Sequence, residues 1–248
     1  MKWTTAITDV RAGKELVRGY DLKDLVCKKS FVEAIYLVLK GELPDERTTT
    51  MLNAMFVSCI DHGVGVSSAM TSRLVVSTGN SLHTALASGI LSFGTLHGSA
   101  IEDAAHFFSL HAETEDISAL VRDLKSQGVR IPGYGHKILQ NDPRTDALFD
   151  VARKTDFYGK FCELAIVVRE SVNEISSKQL PLNVDGALAA IMLDMGFDPR
   201  LAKGFFIIGR VPGLVAHIYE EMTTGTGLRR LTEDEVEYTG VEERPIES

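Results

Sequence analysis

Three titratable side chains in this sequence sit where a glycine hinge or a helix start would present them to a cavity. His136 lies in IPGYGHKILQNDPR (131–144), where Gly133 and Gly135 flank Tyr134 and allow a tight turn that holds an imidazole at the lip of a cavity. His97 lies in GTLHGSAIED, just ahead of a helix. There one ring nitrogen can enter a cavity while the other bonds backbone, or the ring can simply pack at the helix start. Asp185 follows Asn183 in LPLNVDGALAAIMLDMGF, with small or apolar neighbours on both sides. Partial desolvation would raise its pKa and make it a usable base, although the helix dipole also favours a carboxylate in a first turn. Two arginines join this set. Arg144 stands directly after Asp142-Pro143, which read as N-cap and first residue of a new helix. Arg210 follows Phe205, Phe206, Ile207 and Ile208, a setting in which a guanidinium needs a buried partner, either a structural carboxylate or an anionic ligand.

The elements that must position these groups are mostly helical. Residues 1–20 carry a short alternation (Trp3, Thr5, Ile7) before Gly13, a small strand or hairpin. From Leu22 the apolar spacing is helical, with Phe31, Ala34, Ile35, Leu37 and Val38 on one face and a stop at Gly41 and Pro44. Helices are expected over Glu46 to Ile60 and Ser67 to Gly79. Between them, His62 in Asp61-His62-Gly63 is a C-terminal cap or a polar ligand at a site. The small residues of His83 to Gly98 allow close helix packing, and a helix runs on through Phe107. His106 and His111 read as surface or packing residues, five apart and unlike a zinc pair. Ala112 to Gly128 is amphipathic, Phe161 to Ile175 carries a helical core stripe, Asn183 caps a helix that Gly196 ends, and Lys203 to Met222 reads as two apolar helical pieces around Pro212. The GTG at 225–227 lacks the strand and Gly-Lys of a phosphate loop.

Bulk properties exclude several function classes. The hydrophobic share of 44% is that of a globular chain, and 248 residues could form one domain or two. A net charge of -8 argues against nucleic acid or an anionic membrane surface as partner, so any anionic substrate must meet a local cluster of arginines. Cys27, Cys59 and Cys162 form an odd, widely spaced set that suits a reducing, cytoplasmic compartment and reads as packing. No leader is legible at Met1 to Thr5, and the apolar run Gly204 to Ala216 is interrupted by Arg210 and Pro212, so no membrane span is expected.

Two loop histidines, one helix-start aspartate and scattered arginines would suit enolisation of a thioester and attack on a keto acid. The motifs carry a family resemblance to the citrate synthase superfamily over nearly the whole chain. RGYDLKDL (18–25) and YLVLKGELP (36–44) look like its N-terminal segment. LHG (96–98), PGYGHKILQNDPR (132–144) and NVDGAL (183–188) look like its catalytic motifs, and GRVPGLVAHIYEE (209–221) with YTG (238–240) like its closing helices. Between GELP and Asp61 the long helical block usual in the synthases is reduced to a short connection. The compact form, with DHGVGVSSA (61–69), LNVDG (182–186) and the Arg230 to Tyr238 spacing, is similar to citryl-CoA lyase and to the citryl-CoA-cleaving module of ATP-citrate lyase.

The resemblance implies an all-α, two-domain, citrate-synthase-like fold. Residues 1–98 and 198–248 would form the large domain and 99–197 a small domain that closes over the substrates. It implies cleavage of citryl-CoA to acetyl-CoA and oxaloacetate, with His136 taking the tertiary hydroxyl proton, His97 holding the thioester oxygen and Asp185 protonating the released carbon. His62, Arg144, Arg210 and, from a second subunit, Arg230 would bind carboxylates. Pro132, Gly133, Tyr134, Gly135 and Lys137 would approach coenzyme A. A homodimer or higher homo-oligomer is implied, with the coenzyme A thioester as substrate and no metal or redox cofactor. Citrate synthase or a methylcitrate-type synthase is the nearest alternative, and a non-catalytic CoA-binding subunit a more distant one.

Overall fold

The computed structural model describes residues 2–98, 100–135, 142–225 and 227–246. By internal contacts the chain divides into two compact units. Met1–His62 and Phe93–Gly213 make the first, and Gly63–Ser92 and Leu214–Ser248 the second.

The first unit opens with three antiparallel strands, β1 (Thr8–Arg11), β2 (Lys14–Val17) and β3 (Tyr20–Asp21), paired in the order β1-β2-β3. The expected strand or hairpin is therefore a small meander. Asp21 then caps α1 (Leu22–Lys28). The helical spacing from Leu22 is carried by two helices rather than one. Ser30 starts α2 (Phe31–Lys40) with a full capping box, its side chain accepting from the Glu33 amide while Glu33 accepts from the Ser30 amide. Gly41 ends α2 in the left-handed region, as its position predicts. Asp45 caps α3 (Glu46–Ser58).

The second unit contains α4 (Ser67–Ser77) and α5 (Leu82–Leu91). They pack face to face, as the small residues of α5 predict. A Cβ on Gly89 would collide with the Ser72 hydroxyl, so the close approach depends on glycine there.

In the first unit again come α6 (Ala100–Leu110), α7 (Ile117–Ser126), α8 (Pro143–Lys154), α9 (Lys160–Ile175) and α10 (Val184–Asp194). The sequence of α10, VDGALAAIMLD, has no polar face, and a helix apolar all round must be enclosed. Nearly all of its residues are buried, and α6, α8 and α9 pack around it. Asp194 at its end accepts from the Gly159, Phe161 and Cys162 amides at 2.9–3.0 Å and so caps α9 from outside. Cys59 and Cys162 are buried, as expected of packing residues, but Cys27 is exposed on α1. Packing does not explain it, because the short α1 buries only Leu25.

The final helix, α11 (Ala202–Thr224), corrects the expectation of two pieces: it runs unbroken with Pro212 inside. Proline in a helix interior costs about 3 kcal/mol through one lost bond and a clash with the preceding turn. Tight packing flanks that position, with Gly209 against Cys59 and Gly213 against the Ile60 carbonyl. With its short 3-10 start (Pro199–Leu201) the helix is long and apolar enough to cross a membrane by length and composition alone. Its buried residues include Phe205, Phe206 and Arg210 in the first unit and Leu214 and Ile218 in the second.

Candidate active site

The site is built on a backbone junction between residues 133–135 and 181–183. The Asn183 amide donates to the Gly133 carbonyl at 3.0 Å and the Gly135 amide to the Pro181 carbonyl at 2.7 Å. The Asn183 side-chain amide adds a bond to the Gly135 carbonyl at 3.1 Å while its oxygen caps α10 through the Gly186 amide. Two glycines make the approach possible. Gly133 sits at φ +86°, and a Cβ there would lie 2.9 Å from the Gly186 Cα. A Cβ on Gly186 would lie 2.8 Å from the Gly133 carbonyl oxygen. The glycine loop and the first turn of α10, which carries half-buried Asp185, are thereby held against each other.

His136 and Lys137 lie outside the described residues. Pro132 and Gly133 form the turn that leads toward them. Tyr134 is buried, its hydroxyl donating to the Ala165 carbonyl at 2.9 Å and its ring edge-on to Phe108. Burial pushes its phenol pKa well up. The Tyr134 ring therefore belongs to the core. Beside the loop, Val121, Val129, Val172, Ile175 and Leu180 wall a cavity of about 320 Å³, with Lys125 and Arg130 among its lining residues.

Asp142 caps α8 as its sequence predicts, but it is fully buried and does more than cap. Its two oxygens receive Arg144 Nε at 3.0 Å and Nη2 at 2.9 Å, and the Val184 amide donates to it at 3.1 Å. Burial alone would raise its pKa; the bonds and charge of Arg144, with the two amides, outweigh that and hold the carboxyl below its ordinary value.

Arg210 is 3% exposed and donates from Nε to the Cys59 carbonyl at 2.7 Å. Desolvation lowers its pKa, opposed by the nearby charges of Asp61 and Asp185 and reinforced by Arg144. Arg144, Arg210 and Asp185 thus share one electrostatic neighbourhood. Cys59 stands in it too, its thiol pushed up to about 11, first by desolvation. His97 is connected through aromatic packing. Its ring lies 5.3 Å from Phe93, Phe93 lies 5.5 Å from Phe206, and the Arg210 guanidinium stands 4.8 Å over Phe206. His62 is exposed at the end of the first unit's N-terminal segment.

Arg230 belongs to the second unit and is exposed. It lines a cleft of about 600 Å³ with Val64, Met70, Leu74 and Leu231. Beside it, buried Glu221 receives Arg73 at 2.6 Å and Arg229 at 2.7 and 2.8 Å. Among the described residues, no group of three or more His, Cys, Asp or Glu is arranged to hold a metal ion.

The sequence reading missed the contributions of Asp142 and the Cys59 carbonyl. Asp142 signalled only a cap, and a backbone carbonyl carries no signal in residue type. In chemical terms the first unit offers a carboxylate at a helix start, a histidine on a turn and two arginines suited to a substrate bearing carboxylates.

The model of the citrate synthase C-terminal domain matches residues 44–231. The solved citryl-CoA lyase from Hydrogenobacter thermophilus is 50% identical and superimposes at a TM-score of 0.93, covering 98% of this chain and 97% of that one. ATP citrate lyase from Methanothrix soehngenii, solved in complex with citrate and coenzyme A, is 28% identical at a TM-score of 0.83, covering 98% of this chain and 42% of that one. ATP-citrate synthase beta chain protein 2 of Arabidopsis thaliana is 28% identical over 256 residues, 95% of this chain and 42% of its own length. The chain therefore spans less than half the length of that curated relative. With the family model matching well over half of its residues, on a helical fold shared with these structures, the chain belongs to the citrate synthase family.

Proposed function

We propose that this chain is a citryl-CoA lyase-type enzyme that cleaves citryl-CoA to acetyl-CoA and oxaloacetate. The observation that carries the reading is the match to a citryl-CoA lyase over nearly the full length of both chains. His136 takes the proton of the tertiary hydroxyl, and the O–H electrons become the new carbonyl bond. The central carbon–carbon bond breaks and its electron pair becomes the enolate of acetyl-CoA. His97 hydrogen-bonds the thioester oxygen on which that charge develops. Asp185, entering as the acid, delivers its proton to the carbon, which leaves acetyl-CoA, oxaloacetate, a protonated His136 and an ionised Asp185 to exchange with solvent. Arg144 and Arg210, with His62, take the carboxylates of the C4 acid, and Arg230 completes the set from a second subunit of a homodimer. Residues 132–137 contact coenzyme A. Closure of residues 99–197 over the substrates keeps water from the enolate. A reducing, cytoplasmic setting fits the three free cysteines.

The condensing direction, ending in citrate, is the second reading, favoured by the citrate synthase domain match. Substitution of Asp185 by Asn tests the chemistry common to both. Cleavage is expected to fall by roughly 10²–10⁴-fold, as for loss of a general acid–base group. Solvent proton exchange at the acetyl methyl is expected to stop, with coenzyme A affinity by calorimetry unchanged. Normal exchange would remove Asp185 from the reaction.

A further inference from the structure

A helix cap needs one bond from an early amide, and serine or threonine makes it without burying a charge. Asp142 accepts four hydrogen bonds from a fully buried position. Its Oδ1 receives the Arg144 amide at 3.1 Å and Arg144 Nε at 3.0 Å, and its Oδ2 receives Arg144 Nη2 at 2.9 Å and the Val184 amide at 3.1 Å. Only the first of these is capping. The two side-chain bonds fix the plane of the guanidinium, so that the N–H groups on its far edge point in one direction. The fourth bond reaches the first residue of α10, next to Asp185. Thr145 reinforces the same junction, its hydroxyl donating to the Leu182 carbonyl at 3.1 Å.

We propose that Asp142 is a positioning residue, orienting Arg144 toward a carboxylate of the C4 acid and, through the Val184 amide, fixing the helix start that carries Asp185. This rests on the reading of Arg144 and Asp185 given above. No neutral cap can grip a two-nitrogen fork and a second helix together. The consequence is that the C4-acid ligand and the proton donor are set by one group.

The test uses the full chain with Asp142→Ser, which keeps the cap, and Asp142→Asn, which keeps the shape. In either variant, whichever folds, the Kd and KM for oxaloacetate are expected to rise about tenfold or more, the change typical of a lost charge-assisted contact. The KM for acetyl-CoA is expected to stay within about twofold, since that contact is not lost. A group that only capped α8 would lower Tm without this split. Arg144→Lys, which keeps the cation but not the two-point grip, is expected to give the same rise. In an Arg144→Ala background, adding Asp142→Ser should weaken oxaloacetate no further. Full additivity there, wild-type oxaloacetate affinity in a folded Asp142 variant, or equal rises in both KM values would overturn the positioning role. Unchanged affinity in Arg144→Ala would remove the reading of Arg144 itself, and the inference with it.

Discussion

The two units hold their arginines with different numbers and kinds of acceptor. In the first, Arg210 is buried and gripped by a neutral acceptor, the Cys59 carbonyl, and Arg144 by a single buried carboxylate. In the second, Arg73 and Arg229 converge on one buried carboxylate, Glu221, with Glu220 as a further partner of Arg73, while Arg230 remains exposed. The Cys59 carbonyl orients Arg210 without offsetting its charge, with Asp61 and Asp185 as neighbouring charges, and Asp142 offsets Arg144 one to one, whereas Glu221 is shared between two arginines. A single guanidinium with its far edge left over suits an anion site, and two arginines tied to one carboxylate suit a structural clasp. Arg230 fits neither. It is displayed at a surface cleft.

Three substitutions probe this contrast. Arg210→Ala should have the largest effect, weakening oxaloacetate by about 2–5 kcal/mol, the usual result of truncating a buried charged contact. Calorimetry checks it, and unchanged affinity would reclassify Arg210 with the clasp. Arg230→Ala should raise the oxaloacetate KM by a few-fold while leaving Tm unchanged, because its side chain is exposed in the folded chain. A fall in Tm without a KM effect would make Arg230 structural. Glu221→Gln should leave oxaloacetate affinity unchanged and act on stability alone. Hydrogen bonds from Arg229, then from Arg73, hold the Glu221 carboxyl below its ordinary value against the opposing pull of desolvation. Its contribution is therefore present above the unfolded glutamate pKa of about 4.3 and is lost as pH falls through the lower folded value. Melting curves of wild type and variant should differ at neutral pH and converge in acid. A gap that persists at low pH would contradict the assignment.

How much of this was legible in the sequence depends on the distance over which each signal acts. The caps at Asp142 and Asn183 and the stop at Gly41 were readable because all their determinants lie within one turn of helix. The apolar body of α10 announced a buried helix for the same reason. The Asp142–Val184 bond spans 42 residues and the Arg210–Cys59 bond 151, and neither residue type marks its partner. The sequence demanded a buried partner for Arg210 without naming a backbone carbonyl. Tyr134, between two glycines, looked available to a ligand, and only packing against Phe108 and Ala165 shows that its ring is core. Pro212 misled in the other direction. Local propensity favours a break, and the tertiary packing of Gly209 and Gly213 outweighs it.

The reaction this chain catalyses is measured most directly by a paired assay of the purified chain, following oxaloacetate and free coenzyme A. One arm starts from citryl-CoA and the other from acetyl-CoA plus oxaloacetate. Fast release of oxaloacetate from citryl-CoA, with little free coenzyme A in the second arm, is the result expected of a citryl-CoA lyase. Rapid release of free coenzyme A from acetyl-CoA and oxaloacetate would contradict it and make the chain a compact citrate synthase.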